Sequence, residues 1–162
     1  MIIKSIQNKN VLETLNAGNT HFAKDTNIEN LIKPYHMMAN HYHWTTSPVF
    51  GCVVGRRCEF YGANTNDAVI LTLNVPDELV KLQVYYDWVD VIYYTECLNE
   101  WEYDNFDEFV ADVLNGTKTD DQNISIQATI PYIKPEWLIN AEPITSNFVD
   151  RYYGSGGSNV LE

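Results

Sequence analysis

The sequence predicts a single α+β domain with a mixed or antiparallel sheet and two to four helices. Its 162 residues match the length of one ordinary domain. Hydrophobic residues make up 45% of the chain, which is enough for a core and too much for intrinsic disorder. Predicted helices and strands also follow one another without a regular βαβ rhythm, which favours α+β over a doubly wound sheet. We expect the domain to span residues 1–153 and a flexible tail with an expression-tag scar to span 154–162.

The chain begins with a pattern typical of a strand followed by a helix. Ile2–Ile6 is a short apolar run, which predicts a strand. Asn8 or Asn10 is a suitable N-cap for a helix over Val11–Ala17, and Gly18 is expected to end that helix.

The next stretch predicts a second helix and a second strand. The helix is expected over Ile28–Asn40, with Pro34 near its start or breaking it. Val49–Val54 predicts a strand interrupted by a glycine. Arg56 and Arg57 then mark an exposed end of that strand.

The middle of the chain contains the clearest strand. Val69–Val75 alternates and is rich in β-branched residues. Lys81–Tyr86 predicts a second short strand. Trp88–Leu98 is ambiguous, because its apolar spacing suits a helix while its VIYY run suits a strand; we favour the helix.

The last third predicts one helix and two strands. Asp104 or Asn105 caps a helix whose apolar stripe runs from Phe106 to Leu114, and an Asn-Gly pair ends it. Ile124–Ile133 alternates apolar and polar residues, which predicts a strand, and Trp137–Ile144 predicts another.

The charge of the chain is strongly negative and concentrated in one segment. Twenty-two acids against ten bases give a net charge of −12. This balance argues against direct nucleic-acid binding and against docking on an anionic membrane. Between Asp77 and Asp121 there are 13 acids and two lysines, so this segment alone contributes 2 − 13 = −11.

The acidic segment is also rich in Tyr, Trp and Phe, which leaves two interpretations open. One is a solvated acidic face over a buried aromatic core. The other is a surface that grips a basic protein, with carboxylates placed where phosphates would bind and aromatic anchors beside them. The partner-binding residues predicted by the second interpretation are Glu100, Trp101, Glu102, Asp104, Asp107 and Glu108.

The histidines and cysteines do not predict a metal site or a nucleophile. His36, His41 and His43 lie within eight residues, but a third ligand at suitable spacing is not evident, so structural histidines are favoured over a metal. Cys52 and Cys58 are expected to be buried, inert thiols. Three cysteines without a CxxC pair, and no apolar signal-peptide core, predict a reduced, cytoplasmic protein.

Three stretches carry a resemblance to known proteins. IIKSIQNKNVLETLNAG resembles the first strand and helix of small ADP-ribosyltransferase-fold proteins, and SIQATIPYIKPEWLINAEPI is similar to the closing strands of DNA-modifying ADP-ribosyltransferase toxins. With VILTLNVPDEL and the aromatic stretch after it, the chain also looks like a family of uncharacterised small bacterial and phage proteins.

The resemblance implies a transferase-like scaffold with NAD as cofactor. It implies cofactor contacts from Ser5, Arg56 and Arg57, and catalytic roles for Gln127 and Glu136. The sequence departs from the transferase pattern after Gln-Ala, where Thr129 stands in place of the catalytic glutamate.

The function expected from the sequence is therefore protein binding without a cofactor. Size and charge are similar to those of small phage counter-defence proteins, including anti-CRISPR inhibitors, so the expected partner is a basic, nucleic-acid-handling protein. The alternative is an NAD-dependent ADP-ribosyltransferase with a departed active site. A third hypothesis is a phage accessory protein without a ligand, forming a homodimer through its aromatic surface.

Overall fold

The computed structural model describes residues 1–59, 67–96, 104–144 and 159–160. The helices in these ranges are α1 (Lys9–Asn16), α2 (Glu29–His41), α3 (Tyr85–Glu96) and α4 (Phe106–Leu114). The strands are β1 (Ile2–Asn8), β2 (Val49–Val53), β3 (Arg57–Cys58), β4 (Ala68–Asn74), β5 (Lys81–Val84), β6 (Ile126–Ile130), β7 (Leu138–Pro143) and β8 (Asn159–Val160). The predicted α+β class is confirmed.

Six of the strands form one antiparallel sheet in the order β5-β6-β2-β1-β4-β7. β1 lies near the centre and pairs with β4 over its whole length, from Ile2 opposite Asn74 to Asn8 opposite Ala68. β3 pairs separately with β8. Most neighbours in the sheet are distant in sequence, so the closing strands complete a sheet that the opening strand begins.

The two faces of the sheet carry different layers, because successive side chains of a strand point to opposite sides. On one face Ile3 and Leu71 pack with Val11 of α1. On the other face Phe50 packs against the cluster that contains Met38 of α2 and the buried side chains of α3 and α4. The sheet therefore separates α1 from a layer made of the other three described helices.

The structure confirms a helix where the sequence was ambiguous, and it moves the boundaries. α3 begins at Tyr85, so the strand predicted over Lys81–Tyr86 ends two residues early. Trp88, Val91 and Thr95 are buried along one face of this helix, and that burial decides in favour of the helix over the β-prone VIYY run. The last two strands are likewise shorter than their alternating patterns, since β6 ends at Ile130 and β7 at Pro143.

The expectation that Pro34 starts or breaks the second helix is wrong. Pro34 is the sixth residue of α2, which continues to His41. Proline removes one helical hydrogen bond, but the residues beyond it, Met38 and Ala39, are buried against the core. Burying a large apolar side chain stabilises the fold by about 1.5–3 kcal/mol, which outweighs the lost hydrogen bond. The helix therefore continues past Pro34.

The expectation of inert thiols at Cys52 and Cys58 is also wrong, because the structure joins them in a disulfide. β2 and β3 flank a tight turn in which Gly55 has φ +85°, and this turn brings the two Cα atoms to 5.8 Å. Such a separation suits a disulfide. The separation of six residues in the sequence does not predict the turn that brings the two cysteines together.

Among the residues that the structure describes, no helix is both long enough and apolar enough to cross a membrane.

Gly51 tests the tight packing at the centre of the sheet. A Cβ atom there would lie 2.7 Å from the backbone oxygen of Lys4 on the neighbouring strand. We expect Gly51→Ala to lower the free energy of unfolding by about 2–3 kcal/mol, because the backbone must shift to accept the methyl group. Urea denaturation measures the change. Gly55→Ala, which meets no atom within 4 Å but has positive φ, is the control, with an expected loss of about 1 kcal/mol. An equal or smaller loss for Gly51→Ala would contradict the prediction.

Candidate functional site

A buried polar layer joins the sheet to the helices on the α2–α4 side. Its centre is Gln83, which is fully buried on β5. The Gln83 side-chain nitrogen donates to the Tyr42 hydroxyl at 2.7 Å and to Thr129 Oγ1 at 3.0 Å. Gln127 on β6 donates to the Gln83 side-chain oxygen at 3.2 Å. The Tyr42 hydroxyl in turn donates to the carbonyl of Leu114, at the end of α4, at 2.5 Å. The layer thus links two strands to the ends of two helices.

Burial changes the acidity of Tyr42 in this layer. It raises the pKa of the Tyr42 hydroxyl from 10.0 to about 12, although the hydrogen bond from Gln83 acts in the opposite direction. The hydroxyl therefore stays protonated and able to donate to Leu114 well into the alkaline range.

A cavity of about 480 Å³ lies beside the polar layer. Its floor is the sheet, at Ile6, Phe50 and Gln127, and its walls are α2 and α3. Small-molecule sites in proteins are typically about 300–1,000 Å³, so the cavity is of a suitable size for a ligand. Gln127, predicted from the sequence as a catalytic residue, lines it.

Glu59 is the carboxylate in the cavity lining. Its Oε1 atom accepts hydrogen bonds from Ser125 Oγ at 3.2 Å and from the Tyr86 hydroxyl at 3.4 Å. Ser125 precedes β6 and is two residues from Gln127, so the two side chains share one face of the extended chain. Glu59 and Gln127 therefore both line the cavity, and Ser125, which contacts Glu59, shares the strand face of Gln127.

The mouth of the cavity is surrounded by exposed apolar side chains. Ile28 and Val89 both line the cavity and are 54% and 38% exposed. Tyr86, Val89 and Tyr93 lie at helical spacings of three and four, so they share the outward face of α3. We define the α2–α3 surface as the five exposed residues Ile28, Ile32, Tyr86, Val89 and Tyr93.

Acidic side chains accompany the α2–α3 surface. Asp90 is exposed on the same face of α3, and the neighbouring helix α4 exposes Asp107, Glu108 and Asp112. Asp104, just before α4, is also exposed. Residues 82–117 contain no lysine, arginine or histidine. The predicted partner-binding residues Glu100, Trp101 and Glu102 lie outside the described residues.

Of the residues predicted to form a transferase site, Ser5 and Gln127 lie on opposite faces of the sheet. Ser5 is fully buried opposite Leu71, on the α1 side, and donates to the Phe50 carbonyl at 2.6 Å. Gln127 lies in the cavity on the other side. The structure does not bring these two side chains together.

The two arginines and Glu136 are also apart. Arg56 donates to the carbonyls of Thr119 and Asp121 at 2.8 and 2.9 Å, and Arg57 donates to that of Asn123 at 3.0 Å. Both arginines are half-buried, so the expected exposed end is wrong: they hold the loop that leads into β6. Glu136 is exposed beyond the other end of β6, 3.8 Å from Lys134.

Two of the three clustered histidines contact different residues, and the third, His43, is exposed. His36 Nε2 lies 3.3 Å from Asp25, and His41 Nε2 lies 3.1 Å from the Asn115 side-chain oxygen. Hydrogen bonds from Ser47 and then His36 lower the pKa of Asp25. In the described part of the chain, no group of three or more His, Cys, Asp or Glu side chains is arranged to hold a metal ion.

Comparisons of the chain with protein-family models, with curated proteins and with solved structures found no match. The resemblance to ADP-ribosyltransferase-fold proteins therefore stays a prediction, and the function must be inferred from the site itself.

Sequence reasoning missed three of the residues that shape the site: Glu59, Gln83 and Tyr42. Gln83 carried a usable signal, because a glutamine between Leu82 and Val84 in a short strand is a polar residue in an apolar run. Glu59 gave none, since it becomes part of the site only through the turn after β2.

Tyr42→Phe tests the polar layer through its dependence on pH. At neutral pH we expect a loss of about 1–3 kcal/mol in the free energy of unfolding, because the Leu114 carbonyl and the Gln83 amide lose a partner. The folded pKa of Tyr42 is above its unfolded value, so its contribution is present below pH 10 and lost between pH 10 and about 12. Urea denaturation across this range should give a steeper fall for the wild-type protein than for Tyr42→Phe. Tyr93→Phe, at an exposed position, should keep the wild-type slope; parallel curves for all three proteins would refute the prediction.

Proposed function

We propose that this protein is an acidic binding module that holds a basic, nucleic-acid-handling protein through the α2–α3 surface. The observation that carries the proposal is the exposed apolar stripe on α3. One face of this helix is buried and carries Trp88, Val91 and Thr95. A second, largely apolar face is exposed and carries Tyr86, Val89 and Tyr93. A helix that is apolar on both sides is normally covered on both.

The charge around the stripe supports a basic occupant. Asp90 lies on the same face of α3 as Tyr86 and Tyr93, and neither α3 nor the neighbouring α4 contains a basic residue, whereas α2 exposes Lys33. Apolar anchors within a charged rim are the usual anatomy of a protein interface. Carboxylates that hold lysines and arginines of the partner would compete with the phosphates that those side chains otherwise bind. By occupying these side chains, the module would prevent its partner from binding nucleic acid. We expect this interaction to take place in the cytoplasm.

Asp112 lies where an acidic side chain destabilises its helix, which supports a role for this residue in binding. It lies in the last turn of α4, where the helix dipole disfavours an anion and where no basic residue is present. An acid in this position costs the fold free energy, which is consistent with a role outside it.

A fluorescent amphipathic helical peptide of lysine and leucine is a suitable probe for the surface. We expect it to bind the wild-type protein, with affinity that falls as salt rises. Asp90→Lys combined with Glu108→Lys should weaken binding at least about tenfold, measured by fluorescence anisotropy. The control, Glu13→Lys with Glu78→Lys, makes the same change in net charge at exposed positions away from α2–α4. If both double variants lost the same affinity for the peptide, the effect would come from net charge alone, and a defined binding surface would be refuted.

The apolar part of the surface has its own control. Tyr93→Ser should weaken peptide binding about tenfold without any change in charge. Ile139→Ser removes a similarly exposed apolar side chain from β7, on the far edge of the sheet, and should leave affinity unchanged.

Duplex DNA should compete with the protein for the peptide. Simultaneous binding of DNA and protein to one peptide would contradict the proposed inhibition.

Asp112→Asn tests the cost of the acidic helix end. Removing this anion should raise the free energy of unfolding by about 0.3–1 kcal/mol, because the helix dipole no longer repels it. Asp107→Asn, in the first turn of the same helix, should lower the free energy of unfolding by a similar amount. Thermal unfolding of both variants measures the difference. A loss of stability in Asp112→Asn would show that Asp112 has a structural role.

A further inference from the structure

The cavity between the sheet, α2 and α3 has the composition of a small-molecule site, and it adjoins the proposed partner surface at Ile28 and Val89. Most of its lining is aliphatic or aromatic. The rings of Tyr35 and Phe50 are 5.0 Å apart and tilted by 45°, and Trp88 closes the opposite wall from α3. Flat apolar groups pack well between aromatic rings, so the walls favour a ring system as ligand.

Two polar side chains of the described lining, Glu59 and Gln127, have acceptor atoms without a described partner. Glu59 uses only Oε1 for Ser125 and Tyr86, so Oε2 accepts no hydrogen bond from a described residue. Gln127 uses its amide nitrogen on Gln83, and its oxygen likewise has no described partner. Gln127 is 6% exposed and lines the cavity, so its side-chain oxygen is available to accept a hydrogen bond from a ligand.

No described lining residue supplies a positive charge. Lysine, arginine and histidine are absent from the described lining, and Glu59 forms no ion pair with a described residue. A carboxylate in an apolar site is stabilised by a cation or by hydrogen-bond donors. A positively charged donor would complement the charge of Glu59 and could donate to the acceptor atoms of both Glu59 and Gln127. The aromatic walls add cation–π attraction for the same charge.

We propose that this cavity binds a small aryl-alkyl amine as its cation. The ring system would lie between the aromatic walls, and the ammonium group would donate to Glu59 Oε2 and to the Gln127 side-chain oxygen. An anionic ligand is disfavoured because it would meet the Glu59 carboxylate without a compensating cation. The proposal concerns the interior of the cavity and does not depend on the binding of a protein partner outside it.

Tryptamine is the probe, because it combines an indole ring with one ammonium group on a short chain. Tryptophol, with a hydroxyl in place of the amine, is the neutral counterpart, and indole-3-propionate is the anionic one. Isothermal titration and ligand-observed NMR on the full chain should show saturable tryptamine binding in the sub-millimolar range expected of a ligand this small. Tryptophol should bind roughly tenfold more weakly and indole-3-propionate more weakly still.

Glu59→Gln separates the role of the charge from the role of the apolar walls. This variant should lose about tenfold in tryptamine affinity while its tryptophol affinity stays within about twofold. Glu29→Gln is the matched control: it removes the same charge from the exposed first turn of α2, outside the cavity lining, and should bind tryptamine like the wild-type protein. Ile28→Trp, at the exposed mouth, should weaken both ligands together by blocking entry.

Two controls separate a loss of tryptamine binding from misfolding and from an effect of the proposed partner surface. Each variant is compared with the wild type by near-ultraviolet circular dichroism and by its unfolding midpoint before binding is measured. The Asp90→Lys, Glu108→Lys protein should keep its tryptamine affinity even where it loses the basic peptide. Absence of saturable tryptamine binding at millimolar concentration, or equal affinities for tryptamine and indole-3-propionate, would overturn the proposal.

Discussion

The side chain of Gln83 connects the three parts of this fold that carry its candidate sites. A buried amide must satisfy its donors and its acceptor, and Gln83 does so with Tyr42, Thr129 and Gln127. These partners fix β5 against β6 and attach the end of α2, while Tyr42 reaches on to α4. A slip of one residue between β5 and β6 would leave Gln83 on the wrong face. The cavity wall at Gln127 and the placement of the helices therefore depend on one satisfied polar network.

The helical layer has two different surfaces because α3 is apolar on two sides. Its inner side completes a core with Met38 and the buried residues of α4. Its outer side carries the exposed side chains of Tyr86, Val89 and Tyr93. The aromatic residues of the acidic segment divide by burial: Trp88 and Phe106 belong to a buried core, whereas Tyr86 and Tyr93 lie at the surface. In α3, helix periodicity determines which aromatic side chains are buried and which are exposed.

Local patterns predicted the elements well and their junctions poorly. The strand around Val69–Val75 and the helix from Phe106 to Leu114 each follow from one strong periodicity, and the structure confirms both. The Cys52–Cys58 disulfide, the anchoring of Arg56 and the position of Glu59 all depend on how one turn after β2 is directed. That direction is set by partners more than 60 residues away, such as Thr119 and Ser125. Periodicity is a local property, so it does not give contacts of this range. The family resemblance singled out Gln127, and it too did not give the neighbours that define its surroundings.

The strand order also has a consequence for synthesis of the chain. β2 lies between β1 and β6, and β1 and β2 are complete at residue 53, whereas β6 is complete only at residue 130. At translation rates of about 5–20 residues per second, the 130 − 53 = 77 intervening residues take roughly 4–15 s. Throughout that interval one edge of β2 lacks its final partner. Unpaired strand edges recruit other chains, so nascent copies on neighbouring ribosomes are most vulnerable to aggregation in this window.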